Sequence, residues 1–154
     1  MITVQQQAAR LTRQAWEGLM RTAEFVPEEK RNWIPQGKTR TFHDFLAECA
    51  ILTDWSTQFL ETGQFPPFDP EGYNRARAEL DTLDKIKAVG QPAIERCCAA
   101  IEAVPDQRLE ENHEMPWGMT STVADILFMS YWNMTYHWGQ VNYIQMLLGD
   151  TEMH

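Results

Sequence analysis

Apolar residues recur at three- and four-residue steps through most of the chain, the spacing that stacks side chains on one face of an α-helix. Val4, Ala8, Leu11, Ala15, Leu19, Thr22 and Val26 form the first stripe. Thr3 precedes it with Gln6 three residues on, as in a capping box, and Pro27 ends it. Residues 27–40 hold two prolines, a glycine and few apolar positions, which predicts a loop with a short turn at Pro27–Lys30. A second stripe, Phe42, Phe45, Glu48, Leu52, Trp55 and Phe59, follows an N-cap at Thr41 with Asp44 behind it. Glu48 is out of place in that face. Sliding the face by one residue turns Cys49 inward and leaves Glu48 at the boundary, and the pattern allows both registers.

Gly63–Pro70 is a proline-rich excursion whose aromatics are expected over the mouth or flank of the core. Residues 71–104 read as helical through Leu80, Leu83, Ile86, Val89, Ala93, Ile94, Cys97 and Ile101. Gly90-Gln91-Pro92 interrupts them, which gives either one kinked helix or two pieces. Residues 106–119 read as another loop. Thr120, Ser121 and Thr122 offer caps, and Asp125 completes a box from Thr122. A single long helix is then expected to Leu148, with Gly149 at its C′ position. No stretch alternates long enough to predict a strand. The expectation is an all-α four-helix bundle, one domain over residues 1–154.

Composition narrows the function classes. A hydrophobic share of 44% supplies a core. The formal net charge of -9 argues against nucleic acid as a partner, since polyanion binding needs a basic surface. Cys49, Cys97 and Cys98 are an odd set with two neighbours, which reads as reduced thiols in a cytoplasmic protein rather than a disulfide framework. The N-terminus lacks a signal-peptide pattern, and no apolar run approaches the ~20 residues of a membrane span.

The last helix carries the candidate chemistry. Its inward stripe is Ile126, Ser130, Asn133, His137, Val141, Ile144 and Leu148. Asn133 and His137 lie one turn apart and can address one point. With Glu48 opposite, they offer a carboxylate, an amide oxygen and an imidazole, a mixed set able to hold a divalent cation with open positions. The bland alternative is a buried Glu48–His137 pair with no metal. His113, in the loop before the helix, is a possible fourth partner. The helix is dense in aromatics all round, which suggests burial against the core and a second copy.

Met115-Pro116-Trp117-Gly118, Arg40–Glu48 and Asn133-Met134-Thr135-Tyr136-His137-Trp138-Gly139-Gln140 resemble the DinB-like (YfiT-like) superfamily. The resemblance covers nearly the whole chain and is most specific at His137-Trp138-Gly139-Gln140. It implies an up-down-down-up four-helix bundle, often a homodimer, with nickel or zinc held by three histidines. His137 matches the last of these, while Asn133 and Glu48 stand where the other two would be.

Two functions follow from that resemblance. One is a metal-dependent enzyme of the thiol-transferase or hydrolase type, acting on a small molecule. Its ligands would be Glu48, Asn133 and His137, and its proton handlers Tyr136 or His113. The hard donor set suits a thiolate poorly. The other is a metal-free, non-catalytic dimeric binding or stress-response bundle.

Overall fold

A computed structural model describes residues 1–34 and 40–154. Part of the loop expected over 27–40, residues 35–39, therefore lies outside the described residues. Four long helices dominate: α1 (Val4–Glu24), α2 (Phe42–Thr62), α4 (Leu83–Glu102) and α6 (Met129–Leu147), with α3 (Pro70–Glu79) and α5 (Val123–Ile126) between them. The predicted capping boxes form at Thr3–Gln6 and Thr122–Asp125, and Thr41 caps α2 through Asp44 N. Gly63 and Gly149 take the left-handed backbone that stops α2 and α6.

α1 packs on α4 and α6, and α2 packs on the same two helices from the opposite side. The core between them is apolar, with Trp16, Leu19, Phe42, Leu46, Ile86, Ile94, Ile126 and Met134 fully buried. Each such side chain contributes about 1.5–3 kcal/mol by leaving water. Polar contacts set the pairing. Trp16 Nε1 donates to Gln91 Oε1 at 2.9 Å, Arg96 meets Asp54 at 2.6 Å, and Trp138 Nε1 donates to Thr22 Oγ1 at 2.8 Å.

Three expectations change. The 71–104 stretch breaks at Leu80–Thr82, where Thr82 caps α4 through Lys85 N, and not at Gly90-Gln91-Pro92. Helix α4 continues through that tripeptide without a break. Pro92 and Ala88, whose carbonyl loses its partner, both face solvent. Gly90 is there for packing: a Cβ on it would lie 2.1 Å from the Trp16 indole.

The fold is predominantly helical as expected, but the expectation that no strand forms needs correction. Asn112–Glu114 (β1) and Thr120–Thr122 (β2) pair antiparallel, His113 opposite Ser121, around a turn with Gly118 at φ 85°. Three-residue strands are too short to show alternation. Finally, the helix expected over 122–148 is divided, because Phe128 (φ -97°, ψ 1°) leaves helical geometry between α5 and α6.

Candidate functional site

The register of α2 decides where Glu48 stands. Cys49, Phe45 and Leu46 fill the core, and Glu48 sits at its edge with its side chain 13% exposed. The slipped face is the one adopted. From that edge Glu48 meets α6. His137 Nε2 lies 2.9 Å from Glu48 Oε1, and Asn133 Nδ2 donates to the same oxygen at 3.1 Å. The three residues singled out from the sequence thus converge. His137 is buried, its Nδ1 lies 2.7 Å from Gln140 Oε1, and its ring stacks on Phe45 at 5.2 Å between centroids.

The second carboxylate oxygen is also taken. Arg40 Nη1 lies 2.6 Å from Glu48 Oε2, the Tyr73 hydroxyl donates to it at 3.1 Å, and Arg77 Nη1 approaches to 3.9 Å. Asp44, one turn before Glu48, pairs with Arg40 and lies 3.2 Å from Arg77 Nε. Arg40 also donates from Nη2 to the Asp44 carbonyl at 3.0 Å. The centre is therefore a network of two carboxylates and two guanidiniums, gathered from the start of α2, from α3 and from α6.

Its electrostatics follow from those partners. Burial by itself pushes the Glu48 carboxyl up. Hydrogen bonds from His137 and Asn133 and the positive charge of Arg40 outweigh burial and bring it down to about 2. Tyr73 moves the other way, raised to about 12 by burial and by the Glu48 charge, so its hydroxyl stays a donor.

The residues do not fit a resident divalent metal. A cation would need free carboxylate and amide oxygens facing one point. Here both Glu48 oxygens are held by donors, the Asn133 amide turns its nitrogen to Glu48 Oε1, and Arg40 supplies a positive charge at Oε2. Among the described residues no group of three or more His, Cys, Asp and Glu side chains could hold a metal.

Neither proton-handler candidate hydrogen-bonds into this centre among the described residues. Tyr136 projects outward, 55% exposed, stacked on Trp132 and touching His137 only edge to face. His113 belongs to β1. It packs edge-on against Phe59, eleven residues or about 16 Å along α2 from Glu48, and lies 3.7 Å from Glu111. All three thiols are buried and raised by burial, the Cys98 thiol to about 12, which leaves none poised as a nucleophile.

Sequence reasoning missed Arg40, Asp44, Tyr73, Arg77 and Gln140 as members of the centre. Arg40, Asp44 and Glu48 at four-residue steps were a readable signal. Tyr73 and Arg77 carry the same spacing on α3, but nothing in the sequence says that α3 docks there.

Beside the network, between α2 and α6, lies a cavity of about 530 Å³. Trp55, Phe68, Trp117 and Trp132 form much of its wall, and Ser56, Ser130 and Asn133 its polar part. The expected role of the Gly63–Pro70 aromatics holds: Phe65 stacks on Phe59, and Phe68 borders the cavity.

No family model matches the chain, and no curated protein does. Solved structures match its fold. The mycothiol-dependent maleylpyruvate isomerase superposes with a TM-score of 0.69 at 17% identity, over 92% of this chain and 63% of that one. The chain thus spans less than two thirds of that protein. An uncharacterised protein from Clostridium difficile 630 gives a TM-score of 0.71 at 11% identity, covering 96% and 99% of the two chains. A Streptococcus pneumoniae protein gives 0.70 at 15% identity, covering 96% and 93%. These likenesses lie in the fold alone, a predominantly helical bundle.

Proposed function

We propose that this is a single-domain, DinB-like small-molecule-binding bundle whose polar centre is closed by an internal ion pair instead of a metal. The observation that carries this is the Arg40 guanidinium 2.6 Å from Glu48 Oε2, on the carboxylate that a metal would need. The cavity against Asn133 supplies the binding volume, within the range of small-molecule pockets.

The helix directions support an up-down-down-up bundle. Gln5 bonding Val104 O and Trp16 bonding Gln91 run α1 against α4. Glu48–His137 and Ser56–Ser130 run α2 against α6. Asp54–Arg96 and the bond from Arg108 to Leu60 O run α2 along α4. We place the protein in a reducing, cytoplasmic setting on its three unpaired thiols. Among the described residues no helix is long and apolar enough to cross a membrane.

The enzymatic reading, a metal-dependent transferase or hydrolase using nickel or zinc, is favoured by the likeness to the mycothiol-dependent isomerase and by the convergence of Glu48, Asn133 and His137. Elemental analysis after purification with nickel or zinc present separates the two. The ion-pair reading expects far less than one metal per chain. A stoichiometric metal lost in Glu48→Ala and His137→Ala, both still folded, would overturn it in favour of the enzyme.

A further inference from the structure

We infer that the cavity between α2 and α6 takes a neutral aromatic molecule with one hydrogen-bond donor, of the phenol or indole type. This rests on the small-molecule reading above and names its ligand class.

The walls fix the aromatic part. The cavity holds about 530 Å³, and apolar surface dominates its lining. Trp55 and Trp117 stand 6.1 Å apart between centroids, and Phe68, Trp117 and Trp132 are each more than half exposed. Several large rings left open around one concavity mark a recognition surface for a flat apolar body. Among the described residues no charged side chain lines the space. An ionised ligand would lose its hydration there without a compensating charge.

The polar groups fix the donor. Thr53 donates to Cys49 O at 2.9 Å, and Ser56 donates to Thr53 O at 3.0 Å. Ser130, 2.8 Å from Ser56, then donates to the Ser56 oxygen, which leaves its own oxygen able to accept. Among the described residues its one other polar neighbour is Cys97 Sγ, at 3.7 Å. Asn133 gives its amide nitrogen to Glu48, and its Oδ1 has no hydrogen-bond partner among the described residues. The lining thus presents acceptors, and a ligand satisfies them by donating.

Isothermal titration of the full chain with 2-naphthol, naphthalene, 2-naphthoate and a naphthyl trimethylammonium tests this, with tryptophan quenching read alongside. The expected result is saturable one-to-one binding of 2-naphthol, with both charged probes at least roughly tenfold weaker. Trp132→Ala and Phe68→Ala, two exposed positions whose loss leaves the core intact, should each weaken 2-naphthol by roughly tenfold. Ser130→Ala should bring 2-naphthol down towards naphthalene. A charged probe that equals or beats 2-naphthol and still depends on Trp132 overturns the ligand class while leaving a small-molecule cavity. Binding of 2-naphthol indifferent to Trp132 and Phe68, or no binding of any probe, overturns the inference outright. Elemental analysis for nickel or zinc decides the ion-pair centre separately.

Discussion

Glu48 concentrates the chemistry of this molecule in one side chain. Its carboxyl falls from 4.5 to about 2 on folding, so the unfolded chain binds the proton more readily. The resulting stabilisation is fully present above pH ~4.5 and fades as pH falls towards ~2. Glu48→Gln should therefore lower the urea midpoint near neutral pH, and its gap to the wild type should narrow as the pH drops to about 3. A gap that does not change with pH would mean that the charge of Glu48 is irrelevant. Arg40 answers the metal question at the same scale. Glu48→His with Asn133→His restores three histidines, and Arg40→Ala removes the competing cation. The triple variant should show saturable nickel or zinc binding by calorimetry, and the wild type should not. Equal metal binding by both would mean that Arg40 does not block the site. The sequence exposed Glu48, Asn133 and His137 because polar residues stand out in an apolar stripe. It hid Arg77 because charged residues on a surface helix are ordinary there, whereas Arg40 was readable only by its four-residue spacing to Asp44 and Glu48.

Helices α3 and α4 show how local reading succeeds and fails. Gly90-Gln91-Pro92 looks like a breaker by composition, yet tertiary packing explains each end of it. Gly90 makes room for the rigid Trp16 indole, and Pro92 faces water where its missing bond costs least. Gly90→Ala should then destabilise by about 1–3 kcal/mol through overpacking, despite alanine's better helix propensity. Pro92→Ala, in contrast, should raise the melting temperature, because it restores a helical hydrogen bond. If thermal denaturation ranks the two variants the other way, the packing role assigned to Gly90 is wrong. The capping threonines were legible because a cap is local chemistry. The break at Leu80–Thr82 and the short β1–β2 hairpin were not, since their signals span only three residues. Helix α3 buries no residue and reaches α2 through Tyr73 and Arg77 on the Glu48 network. Its position was therefore unreadable from periodicity. Tyr73→Phe with Arg77→Ala should speed amide exchange in α3 while leaving α1 and α4 protected. Unchanged exchange in α3 would show that other contacts hold it.

For the molecule as a whole, charge is distributed unevenly. The chain carries a formal net charge of -9, which makes copies repel one another, yet α6 contains no Asp, Glu, Lys or Arg. Its outer face presents Tyr136, Tyr143 and Met146, all more than half exposed, with Gly139 in the middle and open space where its Cβ would be. Loss of charge together with exposed aromatics is the composition of an interface core, and a glycine at the centre lets two helices cross closely. The homodimer expected from the sequence would use this face, related by a two-fold axis near Gly139. Tyr143 lies towards the far end of α6 from the cavity, so it tests association without touching Trp132 or Phe68. Sedimentation equilibrium should give a dimer for the wild type and a monomer for Tyr143→Glu, with the helical circular dichroism of the two unchanged. A wild type that stays monomeric at the highest soluble concentration would remove the dimer. A Tyr143→Glu dimer would move the interface to another face.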